Sequence, residues 1–155
     1  MRIHIPIPLR WADLDAYNHV NNVEMMRLLE EARVRAFWIR EDGSGENLPS
    51  AVLKASVGAD TFTLIARHEV EYLKPLAYQR QPVDVQLWIS RIGAASAEVC
   101  YEVYGANLAT PYARSSSTMV FIDVASQRPR RINERERSAW APYIEDPVVF
   151  GRRYK

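Results

Sequence analysis

Apolar and polar residues alternate at the start of the chain, with Ile3, Ile5, Ile7 and Leu9 on one side, the period-two pattern of a strand with one buried face. Pro6 and Pro8 remove two ladder donors, which places that strand near an edge or a bulge. A polar stretch from Ala12 to Asn18 follows, and its Asp13, Asp15 and Asn18 are residues that bond to nearby backbone and favour turns or caps. The period then changes. Met25, Leu28, Leu29, Ala32, Ala36 and Ile39 form one helical stripe, which predicts a helix from about Asn21 to about Ile39. Traced backwards, the stripe reaches Asn21 and Asn22, so the face expected to be buried begins in two amides. Glu31 and Arg35 stand four residues apart on the other side, in the favourable order for an exposed pair.

Gly43, Ser44 and Gly45 end the helical pattern, and every substantial segment after them reads as strand. Val52 to Ser56 and Leu64 to Leu73 are the first two, the second running out at Lys74 and Pro75. Val83, Val85, Leu87 and Ile89 alternate cleanly with polar neighbours, as do Ala97, Val99, Tyr101 and Val103. Gly93 lies between them as the turn of a hairpin. A last strand is expected over Ala113 to Asp123, followed by a basic run, Arg128, Arg130 and Arg131, and a short amphipathic tail. One long central helix and five to six antiparallel strands make an α+β layout in which the sheet covers the helix's dry face.

The 155 residues, 48% of them hydrophobic, suffice for a single domain spanning 1–155 with its own core. A net charge of +1 gives no field that would draw the chain onto nucleic acid or a membrane. Any anionic partner must therefore be held by a local patch. The single cysteine, Cys100, cannot form an internal bridge, which fits a reduced, cytoplasmic setting. Met1 to Arg10 lacks the apolar run of a signal peptide and no segment approaches the roughly 18 apolar residues of a membrane span, so a soluble, unprocessed protein is expected.

With only His4, His19 and His68, no HExxH, no GxSxG elbow, no Walker loop and no GxGxxG, the usual anchors of metal, serine-hydrolase, nucleotide and dinucleotide chemistry are missing. No cofactor is expected. What remains is carboxylate, imidazole and backbone dipole. The segment from Arg10 to Asn22 places Asp15, His19 and three amides directly ahead of a helix start. The unpaired N–H groups there can polarise a carbonyl and hold a developing oxyanion, while Asp15 attacks that carbonyl or activates water. Equally, Asp and Asn before a helix are ordinary capping residues.

The pattern Asp13-x-Asp15-x-x-x-His19-Val20-Asn21-Asn22, followed by the Glu-Glu-Ala-Arg segment at Glu30 to Arg33, resembles the hotdog-fold acyl-CoA thioesterase superfamily, in its 4-hydroxybenzoyl-CoA thioesterase-like branch. The resemblance continues through Val70 to Leu76, the Arg91 to Gly93 hairpin with Ser96, and Val120 to Asp123 ahead of Arg131. It implies a helix wrapped by an antiparallel sheet, and homodimers or homotetramers with active sites at subunit interfaces. It further implies hydrolysis of an acyl-coenzyme A, or of an acyl carrier protein thioester, with Asp15 as nucleophile or general base. The Asn22 N–H falls at the oxyanion position, and His19 at a histidine common in this subgroup. Asp13 is expected to orient the loop. Asn18, Ser96 and Thr118 fall at substrate-binding positions, Arg91 and the Arg128, Arg130, Arg131 run are candidates for the coenzyme A phosphates, and Met25, Leu28 and Leu29 are candidate acyl-pocket walls. Relatives commonly carry Gly where this chain has Asn18, and an aromatic where it has Met25. A hotdog enoyl-acyl hydratase or dehydratase and a non-catalytic acyl-binding module are the alternative readings.

Overall fold

The helix starts one residue later than the stripe alone predicts, because Asn21 caps it. In the computed structural model, which describes residues 1–55, 57–106 and 108–151, Asn21 is extended and its side-chain oxygen accepts the Val23 N–H at 2.9 Å. Helix α1 (Asn22–Phe37) follows. It ends where Trp38 turns extended and its neighbour Ile39 donates to the Leu53 carbonyl. The single long central helix of the sequence reading is thereby corrected: α1 has 16 residues, about 24 Å at 1.5 Å per residue, and a second, shorter helix follows the last strand. Met25, Leu28, Leu29, Ala32 and Ala36 are buried as the stripe requires, and each fully buried leucine contributes about 1.5–3 kcal/mol. The two amides are not part of that dry face. Asn22 is exposed and Asn21 half-buried, so the helix start opens to solvent.

Strands β1 (Ile3–Ile7), β2 (Thr61–Tyr72), β3 (Val83–Ile92), β4 (Ser96–Tyr104) and β5 (Ala113–Asp123) form one antiparallel sheet in the order β1-β3-β4-β5-β2. Pro6 is tolerated because β1 is an edge. Gly93 turns the β3–β4 hairpin as expected, its N–H donating to the Ser96 carbonyl at 2.7 Å. The strand expected over Val52 to Ser56 is corrected to one isolated bridge between Leu53 and Trp38; Ser56 itself lies outside the described residues. The loop replaces a strand here because the segment spans the end of α1, not the sheet: the N–H groups of Val52 and Leu53 donate to the Phe37 carbonyl.

Two bulges decide which side chains face α1. In β2 the pairing slips between Ile65 and Arg67. Without that slip a strict alternation from Ile65 would send Arg67, Glu69 and Glu71 toward the helix. The extra residue, Ala66, reverses the phase, so His68, Val70 and Tyr72 pair with Ser117, Ser115 and Ala113 on the helix side. A matching slip between Ile89 and Arg91 in β3 keeps Ile92 on the same face as Ile89.

The amphipathic tail resolves into α2 (Glu134–Trp140), opened by a capping box between Asn133 and Glu136. Its last residue, Trp140, is fully buried between Phe37 and Phe121, ring centroids 5.7 and 5.6 Å away, and its indole N–H donates to the Ser50 carbonyl at 2.9 Å. From Ile144 the chain crosses the outer face of the sheet. There the Glu145 N–H donates to Ile89, Trp88 Nε1 to the Asp146 carbonyl, and the Gly151 N–H to Glu71. No helix of the described residues is long and apolar enough to cross a membrane.

Candidate active site at the start of the first helix

The loop between β1 and α1 is built on Asp13. Its side chain is fully buried and accepts from the Arg10 N–H at 2.7 Å, from Arg10 Nε and Nη2 at 3.0 and 2.8 Å, and from Arg27 Nη2 at 3.1 Å. Burial alone would raise its pKa, but the Arg10 amide and the guanidinium groups of Arg10 and Arg27 outweigh that and hold it below the usual carboxylate range. Its main-chain carbonyl takes the Asn21 N–H at 2.8 Å. Asp13 therefore orients the loop, as the sequence reading expects.

Asp15 stands two residues on and half-buried. One of its oxygens accepts the N–H groups of Tyr17 at 2.8 Å and His19 at 3.3 Å, an Asx-type turn. Its own N–H donates to the His19 carbonyl at 2.9 Å, and its carbonyl accepts the Asn18 N–H at 3.1 Å. Asn18 adopts φ +62°, the left-handed conformation that Asn reaches more cheaply than most residues. His19 is joined to Asp15 through the main chain and to Ala77 by a bridge.

Asp15 and Asn22 open onto one cleft of about 390 Å³, whose other walls include Met25, Tyr72, Lys74 and Leu76. Asn22 is the first residue of α1, so its N–H has no partner within the helix, and it makes no hydrogen bond to another described residue. A carboxylate and the positive end of a helix thus face one partly apolar hollow. Of the expected walls, Met25 lines it, while Leu28 and Leu29 are core residues. The sequence reading assigned no role to Tyr72 or Lys74. Both lie in the Val70 to Leu76 stretch, but only the β2 bulge reveals that Tyr72 faces the helix.

The other expected contacts converge elsewhere. Arg91, Ser96 and Glu98 line a separate hollow of about 280 Å³ at the β3–β4 hairpin, and Thr118 Oγ1 donates to Glu98 Oε1 at 2.6 Å. Thr118 and Glu98 are paired on the sheet face away from α1. The basic run folds back against β5, where the Arg130 N–H donates to the Phe121 carbonyl. Arg130 is engaged by the buried Glu136 at 2.6 Å and by Thr61 at 2.7 Å, whereas Arg128 and Arg131 are exposed. Thr61 and Tyr72 are the two ends of the 12-residue β2, so within one chain these arginines lie roughly 35 Å from the cleft at the rise of an extended strand. Among the described residues no three His, Cys, Asp or Glu side chains are grouped to hold a metal ion.

A five-stranded antiparallel sheet with a helix whose start faces a carboxylate is the architecture of hotdog thioesterases. The family model for the thioesterase-like superfamily matches residues 9–140, and the chain belongs to that superfamily. Among solved structures it is similar to a predicted thioesterase from Bacillus stearothermophilus at 22% identity, covering 96% of this chain and 100% of that one, with a TM-score of 0.74. It is also similar to a thioesterase from Thermus thermophilus, complexed with coenzyme A and zinc, at 25% identity, 94% and 96% coverage and a TM-score of 0.67. A candidate acyl-CoA thioesterase from Xanthomonas campestris is 28% identical over 79% of this chain and 93% of that one, with a TM-score of 0.61. No curated protein sequence matches the chain.

Proposed function

We propose that the chain hydrolyses acyl-coenzyme A thioesters, with Asp15 as the reacting carboxylate and the Asn22 N–H as the oxyanion donor. The observation that carries this reading is the shared cleft: Asp15 and the first residue of α1 line the same hollow. A thioester carbonyl seated there accepts from the Asn22 N–H, and the interaction strengthens as negative charge builds on its oxygen. Asp15 either attacks the carbonyl carbon, the C–S bond breaking to release the coenzyme A thiolate and leave a mixed anhydride that water cleaves, or removes a proton from an attacking water. A thiolate needs little acid assistance to leave, since thiols ionise at about pH 8.5. His19 accordingly contributes by fixing the Asp15 turn through its main chain.

Met25, Leu76 and the Tyr72 ring supply apolar surface for the acyl group. The Arg91, Ser96 and Thr118 group serves coenzyme A on a neighbouring copy in a homo-oligomer. Support for that comes from its position in the single chain, on the other face of the sheet from the cleft.

The test is free-thiol release from a panel of short, long and aromatic acyl-coenzyme A thioesters by the wild type and by Asp15→Asn. Turnover of one class, abolished by the substitution in a folded protein, is the expected result. Binding of every thioester without thiol release would replace hydrolysis by the non-catalytic acyl-binding reading.

A further inference from the structure

The hydroxyl of Tyr72 donates to the main-chain carbonyl of Asn22 at 2.9 Å. It joins the last residue of β2 to the first residue of α1, and its ring forms a wall of the cleft that Asp15 lines. We propose that Tyr72 is a positioning residue for thioester hydrolysis, holding the first turn of α1 so that the Asn22 N–H stays aimed into the cleft. The proposal rests on the thioesterase reading and adds to it a residue that acts without touching the reacting carbonyl.

Helix ends fray, because their outer amides lack partners within the helix. Against that, the peptide after Asn22 is tied from outside the helix's own bonding by the Asn21 side chain on the Val23 N–H and by Tyr72 on the Asn22 carbonyl. The first fixes the peptide after Asn22 from within the loop. The second fixes it from the sheet, through a strand end held in turn by the N–H groups of Leu73 and Lys74 on the Tyr112 carbonyl. Nearby, the Val20 N–H donates to the Leu76 carbonyl at 2.8 Å and His19 bridges Ala77. These bonds hold the loop against the segment after β2, but they grip residues ahead of the helix. Tyr72 is the member of this seam that grips the helix itself.

Tyr72 is half exposed, 47%, so its hydroxyl could be satisfied by water and its loss costs the fold little. Burial of the phenol still holds its pKa above the ordinary value, which keeps it a donor at neutral pH. What the bond changes is the share of molecules whose Asn22 N–H is correctly aimed, and an amide aimed part of the time catalyses in proportion. Coenzyme A binding draws on groups away from this turn, so the effect belongs in kcat.

The experiment compares wild type, Tyr72→Phe and, as a control for loss of an exposed phenol, Tyr78→Phe in the thiol-release assay on the substrate that the wild type turns over best. Amide spectra of 15N-labelled protein are recorded alongside. Tyr72→Phe is expected to lower kcat by about three- to tenfold, the worth of one neutral hydrogen bond. Its KM should stay within about twofold, the Asn22 and Val23 amide resonances should move, and Tyr78→Phe should behave as wild type. An unchanged kcat, a loss confined to KM, or unmoved Asn22 and Val23 resonances would each overturn the assignment. A wild type that releases no thiol overturns the thioesterase reading first and this role with it, and that failure is visible before any substitution is made.

Discussion

The Asp13 carboxylate and the Arg27 guanidinium meet at 3.1 and 3.2 Å across fourteen residues of sequence, tying the loop that carries Asp15 to the helix that follows it. The folded protein holds the Asp13 pKa below its ordinary value, so its contribution to stability is fully present above the unfolded carboxylate pKa of about 3.9 and is lost as pH falls through the lower folded value. Urea unfolding at neutral pH and at about pH 3 should show the wild type losing more stability on acidification than Asp13→Asn. The variant should be the less stable of the two at neutral pH, because the Arg10 and Arg27 guanidinium groups keep only Glu24 as a charged partner. Equal acid sensitivity would remove Asp13 from this role.

Asp15 offers a clean separation of chemistry from folding. Its side chain matters to the fold as an acceptor of the Tyr17 and His19 N–H groups, and an asparagine oxygen can accept the same bonds. Asp15→Asn should therefore unfold within about 0.5 kcal/mol of wild type, while Asp15→Ala should cost about 1 kcal/mol, as loss of a cap or turn acceptor does. Denaturation midpoints of both variants, read beside their thiol release, check this.

Asn18, at φ +62°, is predicted to tolerate glycine and to resist alanine. Asn18→Ala should destabilise by about 1–2 kcal/mol, the left-handed penalty for a Cβ without a compensating side-chain bond. Asn18→Gly should match wild type in stability and, if the exposed side chain also binds substrate, differ from it only in KM.

Trp140→Ala should be the most damaging single change outside α1. The indole fills the space between Phe37 and Phe121 and satisfies the Ser50 carbonyl, so its removal should cost about 3–5 kcal/mol, measurable as a fall in the urea midpoint. A loss below about 1 kcal/mol would mean that α2 is not part of the cooperative core.

His68 provides a second pH window. Burial, then the positive charge of Arg33, lowers its pKa, against the opposing pull of Glu30, and Nδ1 shares a 2.6 Å hydrogen bond with Ser117 Oγ. Below the unfolded value of about 6.5 the unfolded chain binds a proton that the folded one resists, so stability should decline as pH falls from there toward the folded value. Comparing midpoints at about pH 7.5 and 5.5, His68→Gln should be flatter than wild type.

The elements with a strong period were legible from residues alone. The α1 stripe and the alternations of β3, β4 and β5 are each governed by one buried face, and that face is written into every second or every third to fourth residue. The start and end of α1 shifted by one and two residues because a cap and a backbone bridge decide them. The expected strand at Val52 failed because a short segment such as Val52-Leu53-Lys54-Ala55 reads the same whether it pairs in a sheet or spans a helix end. The capping box at Asn133 and Glu136 was visible in the sequence, yet α2 is too short for its period to announce it. At the candidate site, Asp13, Asp15 and Asn22 were named from local spacing and resemblance, and Asp15 and Asn22 line one cleft. Tyr72, Lys74 and the engagement of Arg130 by Glu136 depend on strands meeting helices, which no local pattern encodes. Arg33 shows the same limit: it lies on the buried side of α1, donating to the Tyr101 hydroxyl at 3.2 Å, although a lone arginine reads as solvated.

The extra residue at Ala66 makes the identity of the cleft wall a matter of counting. His68, Val70 and Tyr72 are presented to α1 because one residue more than the partner strand requires has been inserted upstream, about 20 Å from Tyr72 at the rise of a strand. Closing the bulge with every residue kept, so that Ala66 took Thr118 as its partner, would leave the composition of β2 unchanged but advance each later residue by one partner. Glu71 would then take the place of Tyr72 opposite Ala113, a carboxylate for a phenol, and bring a negative charge to the proposed oxyanion position. The reading frame of one strand, as much as any single side chain, therefore sets the polarity of the site.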